Sequence, residues 1–193
     1  IRRLRRLCRL YGNRPQFILC SATIANAGDL AHHIIGLPVE VVDKDSAPFG
    51  GKQFAFWNPP LIDTAKSDRK SPNSEATQLF SELLRRHVRT ITFVRTRRQT
   101  ELVFTYVRDE LNKVAPTIAH RVSPYRGTYL PEERREIERA LFDGRLLGIS
   151  TTNALELGID VGDIEATILT GYPGSIASTW QQAGRSGRRG RNS

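Results

Sequence analysis

Methionine is absent from all 193 residues, and the chain opens on Ile1. A chain without an initiator reads as a piece of a longer protein, so motifs missing from it are expected outside its span. Cysteine is nearly absent too. Cys8 and Cys20 are too few for a disulfide scaffold and lack metal-ligand spacing, which fits a reducing cytoplasmic setting and implies no metal site of the chain's own. No apolar run exceeds a few residues, so nothing predicts a membrane span, and no secretory signal pattern stands at the start. Lysine is scarce: 5 of the 29 basic residues, the other 24 being arginine.

What is present is an ordinary globular composition, 39% hydrophobic and 25% charged, in a chain long enough for a substantial core. The net charge is +9. Guanidinium groups pair with phosphate bidentately and stack on bases, so the arginine excess points to a polyanionic partner, with a solvated basic face as the plain alternative.

Ile1, Leu4, Leu7, Cys8 and Tyr11 fall on one helical face, and Gly12–Asn13 stops that helix. Gln16–Cys20 is a continuous apolar run predicting a buried parallel strand, residues 26–35 a helix, and 39–42 another strand. The aromatic stretch within 43–58 predicts a hairpin or extended edge strand, and 59–73 shifts to Pro, Asp, Lys and Ser, a linker composition. Beyond it the spacing predicts helices over 74–88, 100–114 and about 130–143, a short one at 154–157 and one from 176. Strands are predicted over 89–94, 118–122, 146–150 and 166–169. Such alternation predicts an α/β fold, a parallel sheet with helices on both faces whose ligands gather at the carboxyl ends of the strands.

Three segments carry chemistry. Gln181 to Gly190 (QQAGRSGRRG) sets Arg185 and Arg188 three apart with glycines between, an arrangement able to clamp phosphate oxygens; a loose basic tail is the alternative. Ser150 to Asp160 (STTNALELGID) follows a buried strand and opens a turn, placing hydroxyls and amides at the sheet edge, although a Thr/Asn cap followed by a glycine turn gives the same pattern. Ser21–Ala22–Thr23 at a strand end is weak alone. In chain order, Ser21–Thr23, Phe93–Thr96, Ser150–Asp160 and Gln181–Gly190 resemble motifs III, IV, V and VI of superfamily 2 helicases, a resemblance over essentially the whole chain. SATIAN at 21–26, WNPP at 57–60, YRG at 125–127 with YLPEERR at 129–135, and GYPG at 171–174 with WQQ at 180–182 narrow the resemblance to the YprA/MrfA group of DEAD/DEAH-box DNA helicases. That group is related to the eukaryotic RecQ4-like Hrq helicases and linked to repair of damaged DNA.

The resemblance implies two RecA-like domains with ATP and Mg2+ between them and single-stranded nucleic acid across their tops. Residues 1–58 would close the first domain, 59–73 link, and 74–193 form most of the second, the helicase C-terminal domain. Ser21 and Thr23 would couple the ATP site to the strand-binding face. Gly158 and Asp160 would sit at the nucleotide, Asp160 towards the ribose. Gln181, Arg185 and Arg188 would line the cleft, the arginines acting as fingers on the γ-phosphate. Arg95, Thr96, Arg126, Thr151, Thr152 and Asn153 would meet the nucleic-acid backbone, and Trp57 and Trp180 are candidates for base stacking, with core or interface packing as the alternative. The implied partner is single-stranded DNA or a tailed duplex, with 3′-to-5′ polarity, possible repair proteins as partners, no membrane, and a cytoplasmic, nucleoid-associated setting. A non-catalytic nucleic-acid-binding module and an RNA helicase fragment are the alternatives.

Two elements of the family pattern are missing. No Gly-x4-Gly-Lys-Ser/Thr exists, since Gly51–Lys52 is followed by Gln53, and Asp109–Glu110 lies in a predicted helix rather than after a hydrophobic strand. In the family both elements precede the SAT motif and a Cys-rich region follows motif VI, so this chain is expected not to hydrolyse ATP by itself.

Overall fold

The computed structural model describes residues 1–21, 24–44, 51–63, 68–156 and 161–187. The chain forms two compact units, Ile1–Ala47 and Pro48–Ser193. In the first, α1 (Arg2–Leu10) and α2 (Ala27–Ile35) associate through arginine. Arg2 Nη2 donates to the His33 carbonyl at 3.2 Å, and Arg5 Nη1 donates to the carbonyls of Ile35 and Gly36. Cations are thus placed on the unsatisfied carbonyls at the negative end of α2. Gln16–Cys20 and 39–42, predicted as strands, are not strands here; Ile18 is 88% exposed. A fully apolar strand is stable only between paired neighbours, and the described part of this unit has no strand for either segment to pair with.

In the second unit residues 51–60, which form neither helix nor strand, lead into β1 (Leu61–Asp63), which pairs antiparallel with β2 (Asp68–Arg69). The hairpin falls in the span whose composition predicts a linker. Arg69 Nη1 donates to the Pro59 carbonyl at 2.7 Å and the Lys70 amide to the Pro60 carbonyl at 3.1 Å, so main chain holds what apolar burial does not.

From α3 (Pro72–Arg85) onward the order is β3 (Thr90–Phe93), α4 (Arg97–Val114), α5 (Pro116–Ala119), β4 (Val122–Tyr125), α6 (Pro131–Phe142) and β5 (Gly148–Thr151). A 3-10 turn (Asn153–Leu155), β6 (Ala166–Leu169) and α7 (Ile176–Ala183) follow. The sheet is parallel throughout in the order β4-β5-β3-β6, as the alternating pattern predicts. The predicted strand 118–122 is instead α5 followed by β4: Pro116 starts a helical turn and Ile118 and Ala119 are buried in it.

Two apolar clusters cover the two faces of the sheet. One gathers Phe80, Leu84, Val103, Val107, Leu111, Ile118 and Val122. The other gathers Ile91, Phe93, Tyr125, Leu141, Ile149, Leu155, Val161 and Ile164. Tyr125 keeps its hydroxyl satisfied by donating to Glu138 Oε1 at 2.6 Å, and burial, reinforced by Glu138, pushes its phenol up to about 12.

Gly148 opens β5 where helix meets sheet. A Cβ there would lie 2.6 Å from Leu84 Cδ2 and 2.7 Å from Phe80 Cζ, and both side chains are fully buried with nowhere to retreat. Gly148→Ala is therefore expected to cost about 1–3 kcal/mol by overpacking. Urea denaturation reads this directly, and an unchanged midpoint would show that the helix shifts freely on the sheet.

Candidate nucleotide and nucleic-acid site

The four parallel strands end on one edge, and the segments leaving it carry most of the candidate residues. Behind β3, Thr96 is the N-cap of α4: its Oγ1 accepts from the Gln99 amide at 3.2 Å while Gln99 Oε1 accepts from the Thr96 amide at 3.1 Å, a capping box. The Thr96 hydroxyl thus starts a helix, and Arg95 beside it is exposed. Behind β5, Thr151 is buried and donates through Oγ1 to the Tyr125 carbonyl at 3.1 Å, so it ties β5 to β4 inside the sheet. Thr152 is half-buried and Asn153 exposed, at the mouth of the 3-10 turn.

A cleft of about 190 Å³ opens at this edge, and Arg95, Asn153, Thr170 and Gln182 supply its polar lining. It brings together two residues given to the nucleic-acid backbone by the sequence, from segments 58 positions apart (95 to 153). A larger cavity of about 430 Å³ lies between α3 and α4 and contains none of the candidates.

Arg126 belongs to a separate cluster. It pairs with Glu101 and lies over the Tyr129 ring, 5.2 Å from its centroid, while Tyr129 Oη donates to Glu101 Oε1 at 3.4 Å. Burial works against the Arg126 charge, but Tyr129 and Glu101 outweigh it and raise its pKa. Tyr129 is itself pushed up, chiefly by burial.

Helix α7 delivers the remaining residues. Ser175 caps it by accepting from the Ser178 amide at 3.0 Å, and Lys52 Nζ donates to the Ala183 carbonyl at its far end, at 2.8 Å. The chain then turns through Gly184, where a Cβ would approach the Trp180 carbonyl oxygen to 2.8 Å, so only glycine lets the turn close this tightly. Arg185 follows and is 5% exposed, its Nη2 donating to the Glu156 carbonyl. Beyond it the Gly187 amide donates to the Ile164 carbonyl at 3.1 Å, laying this segment along the edge of the domain.

Glu156 itself is 8% exposed and accepts from Ser178 Oγ at 2.7 Å and Gln182 Nε2 at 3.0 Å. It is not among the candidate residues that the motifs single out. Its signal is an acidic residue directly after buried Leu155 in a segment otherwise apolar or capping, where a solvated side chain would be out of place.

Gln181 is half-buried on α7 and Ser21 is exposed in the first unit. Trp180 is exposed with Phe54 6.1 Å away, and the Trp57 indole donates to Glu75 Oε2 at 3.2 Å, so both tryptophans have packing partners within the second unit. Thr23, Gly158, Asp160 and Arg188 lie outside the described residues. No helix among the described residues is long and apolar enough to cross a membrane.

Residues 75–190 match the helicase conserved C-terminal domain. The chain is 48% identical over 189 residues to the ATP-dependent helicase YprA of Bacillus subtilis, covering 98% of this chain and 25% of that protein. It is 40% identical over 198 residues to the ATP-dependent helicase hrq1 of Schizosaccharomyces pombe, covering 100% of this chain and 19% of the relative. Among solved structures, the DUF1998 helicase MrfA bound to DNA superimposes with a TM-score of 0.91 at 47% identity, and MrfA bound to DNA and AMPPNP with 0.89 at 46%. The matches cover 100% of this chain and about a quarter of each MrfA chain. The chain thus spans only about a quarter or less of the length of these four relatives, and it belongs to the superfamily 2 helicases of the YprA/MrfA group.

Proposed function

We propose that this chain is part of an ATP-dependent DNA helicase acting in DNA repair with 3′-to-5′ polarity, and that residues 74–193 are its second RecA-like domain, following a 59–73 linker and the end of the first domain in 1–58. The observation that carries the reading is the convergence at one sheet edge of Arg95 and Asn153, in one cleft, with Arg185, joined to the same turn through Glu156. A cationic, hydroxyl- and amide-lined edge suits a phosphodiester backbone, and a guanidinium held on main chain suits a phosphoryl group.

Arg95, Thr152 and Asn153 then hold one strand of DNA, with Thr96 and Thr151 supporting them through the helix cap and the sheet and Arg126 at their flank. Arg185 and Arg188 serve as arginine fingers, with Gln181 beside them, Gly158 and Asp160 towards the ribose, and Ser21 and Thr23 coupling from the first domain. ATP supplies the phosphoryl group whose transfer drives the stepping, and Mg2+ would be held mainly by acidic residues of the first domain outside this chain. The partner is single-stranded DNA or a tailed duplex, with repair proteins as further partners; two free cysteines suit a cytoplasmic, nucleoid-associated protein.

Turnover by the intact protein and by the 193-residue chain tests the reading. The intact protein is expected to hydrolyse ATP with Mg2+ in a DNA-stimulated manner and to unwind tailed DNA duplexes in preference to matched RNA duplexes. The isolated chain should show no turnover above background. DNA-stimulated hydrolysis by the isolated chain, or equal unwinding of RNA, would overturn it.

A further inference from the structure

Glu156 joins the turn after β5 to helix α7. Its amide donates to the Asn153 carbonyl at 3.0 Å, which ties it to the turn. Its two carboxylate oxygens accept from Ser178 and Gln182, which lie four residues apart on one face of α7. A buried carboxylate is unfavourable unless its lone pairs are met, and here both oxygens have a donor. Because the two donors sit one turn apart, the carboxylate fixes the rotation of α7 as well as its distance from the turn. Arg185 follows α7 through the tight turn at Gly184, and its guanidinium donates to the Glu156 carbonyl. Residue 156 therefore sets the guanidinium twice, directly by main chain and indirectly through the helix.

We propose that Glu156 is a positioning residue that holds Arg185 in register for phosphate and transmits displacement of the Thr152–Asn153 turn by the nucleic-acid strand to that guanidinium. The inference rests on the reading of Arg185 and of the turn given under Proposed function. Coupling of this kind needs a contiguous hydrogen-bonded connection, and one runs from exposed Asn153 through buried Glu156 to Arg185.

The test is steady-state ATPase kinetics of the intact protein with and without single-stranded DNA. Glu156→Leu fills the space but leaves Gln182 and Ser178 without their acceptor. It is expected to lower DNA-stimulated kcat by about 10- to 100-fold, the cost of a small misplacement of a reacting group. KM for ATP should stay within about twofold, because binding in the ground state is not what the network serves. The ratio of turnover with DNA to turnover without it should fall towards unity. Glu156→Gln can accept from Gln182 and donate to Ser178, so it is expected to restore kcat to within about threefold of the parent. Should Glu156→Leu fail to fold, the paired change Ser178→Ala with Gln182→Leu removes the same bonds from the helix side and is expected to give the same loss of stimulation. Full stimulation in either variant, beside an inactive Arg185→Ala, overturns the inference while leaving the helicase reading intact. An intact protein without DNA-stimulated turnover removes the helicase reading, and this inference with it.

Discussion

Arg185→Ala in the intact protein is expected, on the proposed arginine-finger role, to reduce ATP turnover by about 10³- to 10⁵-fold, the range over which such a finger acts in NTPases. Single-turnover hydrolysis with saturating DNA and ATP measures the change, and DNA affinity, read separately, should hold to within a few-fold. The two readouts part because of where the side chain lies. Arg185 is buried at the end of α7 and bonded to main chain, whereas Arg95 and Asn153, which would carry the strand, stand in the cleft behind β3 and β5. Arg185→Lys should be nearly as damaging. An ammonium is a point charge on a flexible stem, and it cannot both donate to the Glu156 carbonyl in the plane of a guanidinium fork and present a second in-plane donor to phosphate. Turnover within tenfold of the parent in Arg185→Ala would assign the residue to holding the fold alone. Even then a stability cost of about 1–3 kcal/mol is expected, since the buried Glu156 carbonyl loses a charged donor.

The sequence carries the second unit far better than the first, for a physical reason. Helices α3, α4, α6 and α7 bury one face against a sheet contained in the same chain, so their apolar spacing survives as readable periodicity. The starts of α3 and α4 move by two or three residues because Pro72 and Thr96 begin these helices ahead of the first apolar position, whereas α6 and α7 start within a residue of the expected place. Gln16–Cys20 has the strand composition without strand neighbours among the described residues of its unit, and composition alone cannot supply the pairing. The chemistry divides in the same way. Arg95 and Asn153 follow buried strands, a position that pattern locates. Thr151 stands in the same run of hydroxyl residues yet points into the sheet, a difference of one residue in the pleat that only strand register decides. Pattern can mark Glu156 as out of place after Leu155, but it cannot name its partners, because the donors come from positions 22 and 26 residues away on a helix whose packing angle the sequence does not state.

Phe80→Ala is expected to have the largest effect on stability, about 3–5 kcal/mol. Phe80 is fully buried between α3 and the sheet, its ring end within reach of the space over Gly148, and Leu84, Val107 and Leu111 of the same cluster are also sealed from solvent. Truncation leaves a void that helix and sheet cannot close, because Gly148 contributes no side chain to collapse into it. Against a typical total of about 5–15 kcal/mol for a domain, that loss removes much of the margin and should lower the urea midpoint with little change in slope. The effect on chemistry should be small per folded molecule. Phe80 lies in the cluster on the α3–α4 face, whereas Leu155, next to Glu156 in the chain, and Ile164, bridged to Ser186 beside Arg185, belong to the opposite cluster. Leu155→Ala, of comparable cost in packing, is therefore expected to lower both stability and turnover. Parallel loss of turnover per folded molecule in Phe80→Ala would mean that the two faces of the sheet are mechanically one, and that the candidate site is held by the whole core rather than by the cluster beneath it.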